Sequence, residues 1–243
     1  MPRPDGRVPG ALRPLKLTRG VMRFAHSSCL VEWGKTKVLC TATVEESVPP
    51  FLKGKGTGWV TGEYAMLPGS SSTRIPRERS KLGGRTQEIQ RLIGRSLRAV
   101  TRLKDLGERS VLIDCDVMQA DGGTRCAAIT GGFVALAEVL RQLRRQGTLR
   151  TVPLTDAVAA VSVGLCRGIP VLDMDYAEDS TADVDMNVVA TGGGALVEVQ
   201  GTAERRPFSH ADLNRLLGLA TRGLGRVFAA QRAVLRIASL RQL

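Results

Sequence analysis

Ser110–Gln146 reads SVLIDCDVMQADGGTRCAAITGGFVALAEVLRQLRRQ, and inside this stretch the hydrophobic period changes. From Ser110 to Val117 apolar and polar residues alternate, with β-branched residues among them, which predicts a strand with one buried face. From Ile129 to Gln146 the residues Phe133, Leu136, Leu140 and Leu143 recur at helical spacing, and Gly147 is placed to stop the helix as its C′ residue. Between the two lies Asp121-Gly122-Gly123-Thr124-Arg125, a tight connection from a strand into a long helix.

The same alternation continues outward. Cys29 to Glu32 and Lys37 to Val44 flank Gly34 and predict a hairpin. Val158 to Cys166 and Ile169 to Asp173 flank an Arg167-Gly168 turn. Val184 to Ala190 and Ala195 to Gln200 flank Gly192, Gly193 and Gly194. Thr86 to Lys104 predicts a helix with Ile89, Leu92, Ile93, Leu97, Val100 and Leu103 on one face and Arg91, Arg95, Arg98 and Arg102 on another. Ser209 and Asp212 form a capping-box pattern at the start of a last helix, which runs on through Leu213, Leu216, Leu217, Ala220, Leu224, Val227 and Phe228. Antiparallel hairpins mixed with long amphipathic helices predict an α/β domain of the α+β type. Short turns between most strand pairs argue against a doubly wound sheet. Leu67 to Gly84, rich in Gly, Ser, Pro and Arg, reads as a basic loop inside the domain, so residues 1–243 are expected to form a single domain.

The chain of 243 residues carries 35 Lys plus Arg against 23 Asp plus Glu, a formal charge of +12, which favours a polyanionic partner. Cys29, Cys40, Cys115, Cys126 and Cys166 include no CxxC pair and sit mostly in apolar runs, so they are expected to be buried thiols. Met1 to Arg7 is polar and basic without an apolar stretch behind it, and uncharged runs reach only about a dozen residues, short of a bilayer span. A cytoplasmic location and no membrane partner are expected.

Four features can carry chemistry. Asp121 to Arg125 offers backbone N–H groups at a helix start, the Thr124 hydroxyl and a guanidinium, which together suit a phosphate; it equally suits an ordinary glycine turn. Gly84-Arg85-Thr86, with Thr86 as N-cap, repeats that logic at the head of the arginine-striped helix. Asp173, Asp175, Glu178, Asp179, Asp183 and Asp185 concentrate carboxylates in a basic chain. They fit either a solvated turn or a divalent cation such as Mg²⁺ or Mn²⁺, with Asp183 and Asp185 on one face if the segment is a strand. Arg74, Arg77, Arg79 and Lys81 could follow an RNA backbone. Gly34-Lys35-Thr36 lacks the upstream glycine of a P-loop, and His26 and His210 belong to no nucleophile–His–carboxylate pattern.

Seven ordered blocks carry a family resemblance: Pro4 to Arg7; Gly56 to Pro68 (GTGWVTGEYAMLP); Gly84 to Arg95 (GRTQEIQRLIGR); Leu106 to Arg109 (LGER); Asp114 to Arg125 (DCDVMQADGGTR); Glu178 to Val189 (EDSTADVDMNVV); and Val197 to Ala203 (VEVQGTA). Over nearly its whole length the chain resembles bacterial ribonuclease PH. That resemblance implies an α/β domain related to one of a small-subunit ribosomal protein, and a phosphate-dependent 3′-5′ exoribonuclease that trims precursor tRNA. Nucleoside diphosphates would be released, reversibly. It implies Arg85, Gly123, Thr124 and Arg125 as phosphate-binding residues, with inorganic phosphate as co-substrate. Asp179 and Asp185 would hold a divalent metal, Mg²⁺ or Mn²⁺, and share the catalytic role with Arg85 and Arg125. Arg74 and Arg77 would contact RNA, and the assembly would be a homo-hexamer, a trimer of dimers. The chain departs from the family pattern at Gly69, where arginine is frequent, in a shortened Arg77–Arg85 stretch, and at Cys126, where threonine is common. A catalytically silent ring subunit that binds RNA is one alternative; the five charged or hydroxylic positions Arg85, Thr124, Arg125, Asp179 and Asp185 are those such a subunit would lose. A two-metal hydrolytic nuclease is a second, in which the carboxylates would dominate and the anion-binding turns would have no role.

Overall fold

The computed structural model describes residues 3–78 and 81–238. Arg79 and Met1 of the sequence reading lie outside the described residues. The strands are β1 (Leu15–Arg19), β2 (Ser27–Trp33), β3 (Thr36–Glu45), β4 (Trp59–Met66), β5 (Ser110–Gln119), β6 (Val158–Cys166), β7 (Ile169–Leu172), β8 (Val184–Thr191) and β9 (Leu196–Ala203). The helices are α1 (Gly84–Ala99), α2 (Leu103–Leu106), α3 (Thr124–Arg145), α4 (Tyr176–Asp179) and α5 (His210–Leu235).

Two mixed-layer sheets share one core. The first runs β1-β2-β3-β5-β4 and the second β7-β6-β8-β9. Among the described residues all strand pairings are antiparallel except β4 with β5, which run parallel from Trp59↔Ser110 to Met66↔Val117. That one parallel pair requires a crossover, and α1 with α2 supplies it. Each predicted hairpin forms: β2 with β3, β6 with β7, and β8 with β9. The mixed α/β architecture is therefore the one the pattern indicated.

Helix α3 lies between the sheets, packing on β2, β3 and β5 on one side and β6 on the other. It is buried nearly all round, from Thr124 to Leu143, because both of its neighbours are apolar sheet faces. By length and composition alone it could cross a bilayer, but its apolar surface is spent on the core. Helix α5 packs on β6, β7 and β1, and α1 on β4 and α3.

Three boundaries differ from the sequence reading. Helix α1 is capped by Gly83 and not by Thr86, whose hydroxyl instead lies 3.1 Å from Glu78 Oε1. It stops at Ala99, because Thr101 pairs with Leu154 and the Arg102 amide donates to the Pro153 carbonyl at 2.9 Å. Helix α3 starts at Thr124, ahead of Ile129, because Gly122 and Gly123 turn the chain directly into it with φ of +76° and +67°. The Ser209–Asp212 capping box is present in full.

Candidate functional site

A cleft of about 940 Å³ opens where the ends of β4, β5 and β8 meet the N-termini of α1 and α3. Arg85, Gly123, Thr124, Arg125, Asp179, Asp185 and Arg77 all line it. Arg74 does not, although its neighbours Thr73 and Ile75 do.

The Gly-Gly turn explains how the phosphate-type donors come to face this cleft. After β5 the chain must reverse sharply to enter α3, and two residues in the left-handed region do this. A side chain at Gly122 would put Cβ 2.5 Å from the Met174 carbonyl oxygen, so the turn is packed as well as bent. The first amides of α3 precede its first internal hydrogen bond, Ala127 N–H to Gly123 O at 3.0 Å, and are left for another acceptor. Thr124 is buried, and its hydroxyl shares a 2.8 Å hydrogen bond with Tyr64 from β4. Burial pushes the Tyr64 phenol above its ordinary range, so it remains protonated.

Arg125 is held between Gln200 Oε1 at 2.9 Å and Glu88 Oε1 at 3.2 Å. Glu88 lies one turn into α1 from Arg85, so a single pairing draws the two helix starts together. Both guanidiniums act on Asp179, where they oppose the rise in pKa that burial imposes. Burial first, and then the Asp179 charge, push the Asp185 carboxyl up to about 6.

The acidic segment divides in the folded chain. Asp173 and Glu178 are buried against Arg13 and Arg3, at 2.6 Å each, and are neutralised inside the protein. Asp175 caps α4 by accepting from the Glu178 amide at 3.0 Å. Asp183 accepts from the Gly168 amide at 3.0 Å and from Arg206 at 3.3 Å. It lies just ahead of β8 and, unlike Asp185, does not line the cleft. Asp179 and Asp185 remain turned to the cleft.

No group of three or more His, Cys, Asp or Glu side chains among the described residues is arranged to hold a metal. Asp185, whose pKa the Asp179 charge helps to raise, and Asp179 itself nevertheless suit a hard cation that keeps several waters, as Mg²⁺ does. A divalent ion there would relieve their repulsion and supply positive charge beside a phosphate.

Tyr64, Asn187 and Glu204, to which the sequence analysis gave no role, also line the cleft. Glu204 adds a third negative charge acting on Asp179 and Asp185. Cys126 donates to Asn187 Oδ1 at 3.3 Å, and burial drives its thiol far up, so it serves as a packed donor. The other predicted thiols are also free; all but half-buried Cys166 are buried. The arginine stripe of α1 is largely occupied: Arg95 pairs with Glu198, and Arg98 donates to the Val60 carbonyl at 2.8 Å and covers the Trp59 ring. His26 accepts from the Val44 amide at 3.3 Å and His210 begins α5; neither reaches the cleft.

The model of the 3′ exoribonuclease family, domain 1 (ribonuclease PH), matches residues 11–141, and that of domain 2 matches residues 156–223. Among solved structures, Rrp46 of rice (Oryza sativa) superposes with a TM-score of 0.78 at 20% identity, covering 96% of this chain and 100% of that one. A chain of the Archaeoglobus fulgidus exosome, solved with RNA bound to the active site, gives 0.77 at 20% identity, with 93% and 92% covered. These likenesses establish a common fold.

Proposed function

Because the chain belongs to the ribonuclease PH family of 3′ exoribonucleases, we propose that it shortens RNA from the 3′ end by phosphorolysis, with inorganic phosphate held by Arg85, Arg125 and the start of α3. The observation that carries this reading is the convergence, in one cleft, of two helix N-termini bearing arginines with the carboxylate pair Asp179 and Asp185.

The chemistry needs little else. Phosphate is already an anionic nucleophile, so a histidine base is not required. Arg85, Arg125 and the free amides of α3 bind and orient it for in-line attack, which saves most of the entropic cost of a two-reactant step. One phosphate oxygen bonds to the phosphorus of the terminal phosphodiester as the bond from that phosphorus to the 3′ oxygen breaks. The proton of the attacking phosphate ends on the departing 3′ oxygen, and the products are a nucleoside diphosphate and an RNA shorter by a nucleotide. Asp179 and Asp185 would hold a divalent ion, Mg²⁺ or Mn²⁺, whose role is to neutralise charge on the scissile phosphate. The same residues run the reaction in either direction.

Precursor tRNA is the proposed substrate, with Arg77 at the cleft rim and Arg74 just beyond it on the RNA path. A homo-hexameric ring in the cytoplasm is the proposed setting. Incubating the chain with RNA carrying extra 3′ nucleotides tests the chemistry. Nucleoside diphosphates released only when phosphate is present support phosphorolysis. Monophosphates released without phosphate indicate hydrolysis, and no release with any divalent metal indicates a silent ring subunit.

A further inference from the structure

The chemistry above assigns no task to the arginines near the N-terminus, yet Arg3 and Arg13 are among the most deeply buried charges in the chain, 6% and 5% exposed. Sinking a guanidinium into a protein is unfavourable unless its donors are matched; Arg3 spends one nitrogen on the Pro9, Ala11 and Leu172 carbonyls, and the remaining matches of both arginines lie on the two segments that build the cleft. Arg13 spans Asp173, with Nη2 to Oδ1 at 2.6 Å and Nε to Oδ2 at 3.0 Å. Its other donors reach the carbonyls of Asp121 and Gly122. Thr36 grips the same turn: its hydroxyl donates to the Gly122 carbonyl at 2.7 Å and accepts from the Asp121 amide at 3.0 Å. Arg3 takes Glu178 through two 2.6 Å bonds and also holds the Asp173 carbonyl at 3.0 Å. Glu178 completes the α4 capping box and is followed directly by Asp179.

Two consecutive glycines make the 121–123 turn free to rotate its peptide units. A rotated unit would turn a carbonyl oxygen toward the bound anion in place of an N–H. Tying both carbonyls to Arg13 and Thr36 forbids that rotation. In the segment packed against this turn, the bidentate grip on Glu178 fixes the short helix that carries Asp179.

We propose that residues 3–13 form a strap of positioning residues: Arg13, with Thr36, fixes the turn that receives inorganic phosphate, and Arg3 fixes the turn that presents Asp179 to a divalent cation. This rests on the phosphorolytic reading of the cleft. It also predicts a division of labour that a merely stabilising strap would not show.

The test uses the full chain, with calorimetric titration of inorganic phosphate and of Mn²⁺ in the absence of RNA, beside steady-state phosphorolysis and Tm. Thr36→Val and Arg13→Met are expected to weaken phosphate binding and raise its KM by about tenfold or more, with kcat at saturating phosphate within about threefold and Mn²⁺ affinity unchanged. Thr36→Ser, which keeps the hydroxyl, restores phosphate binding. Arg3→Met shows the converse, a loss of about tenfold in Mn²⁺ affinity with phosphate binding unchanged, the size found when an outer-shell partner of a metal ligand is removed. Should Arg13→Met fail to fold, the Thr36 pair decides the phosphate arm, and Asp175→Ala, which opens the α4 cap, replaces an unfolded Arg3→Met. Unchanged binding in these variants overturns the proposal, as does a parallel loss of both ligands that simply follows Tm. Wild-type protein that binds phosphate but degrades RNA only by hydrolysis overturns the functional reading and leaves the strap standing.

Discussion

The hydroxyls of Tyr64 and Thr124 meet at 2.8 Å, joining β4 to the first residue of α3 at a buried point of the cleft wall. The bond fixes the Thr124 rotamer and so decides where its oxygen stands relative to a bound anion. Tyr64→Phe is expected to lower stability by about 1 kcal/mol, the worth of one buried hydrogen bond. It should also raise the KM for phosphate several-fold while leaving the KM for RNA unaltered. Denaturant unfolding and phosphate titrations at fixed RNA would check both; an unchanged phosphate KM would show that Thr124 is placed by the helix alone.

Asp185 couples the site to pH. Its carboxyl titrates at about 6 in the folded chain, above the 3.8 of an ordinary aspartate, because burial and the neighbouring Asp179 disfavour its charge. Through this group the folded state binds more protons than the unfolded state between these values, and its contribution to stability falls as pH rises from about 4 through about 6. Above that window the charged group costs on the order of 3 kcal/mol, and a bound cation would recover part of it. Asp185→Asn is expected to be more stable than wild type at pH 8 and nearly equal at pH 4, yet inactive. Divalent-ion binding to the wild type should strengthen as pH rises through about 6. Thermal melts of wild type and Asp185→Asn across pH, with and without Mg²⁺, provide the measurement, and a stability difference between them that does not change over that range would refute the assignment.

The hairpins were legible because each carries its own punctuation: Gly34, the Arg167-Gly168 pair and the 192–194 glycines lie between runs of period two. Strand β4 was not, because WVTGEYAM places Gly62 and Glu63 at its centre and blurs the alternation. Gly62 is needed there for a tertiary reason: a Cβ would stand 2.6 Å from Ile93 Cγ2, where α1 crosses the strand. Its parallel pairing with β5 joins residues about fifty positions apart, a register that no local pattern encodes. The phosphate-type residues were visible as motifs. The split of the acidic segment was not, since the arginines that neutralise Asp173 and Glu178 come from the opposite end of the sequence.

Gly122 is where backbone and packing constraints coincide. Its φ is +76°, and an added Cβ would meet the Met174 carbonyl at 2.5 Å and the Asp175 backbone at 2.9 Å. Gly122→Ala is expected to lower stability by roughly 2 kcal/mol or more. Because the displaced segment leads into α4, both phosphate affinity and divalent-ion affinity should fall together. Calorimetric binding of each ligand distinguishes this joint loss from a change confined to one wall.

Arg85 and Arg77 line the same cleft but should fail in different ways when removed. Arg85 stands at the start of α1 and acts on Asp179, so Arg85→Ala is expected to abolish turnover with the fold intact. Arg77 belongs to the loop at the cleft rim, where a contact to an RNA phosphate would be electrostatic and screened by salt. Arg77→Ala should therefore raise the KM for RNA without changing kcat. It should also reduce the slope of log affinity against log salt by about 0.7, the share of one phosphate contact to a single strand. Phosphorolysis rates measured from low to moderate salt separate the two residues. An unchanged slope would remove Arg77 from the RNA path, because a cation that displaces no counterions is not touching the backbone.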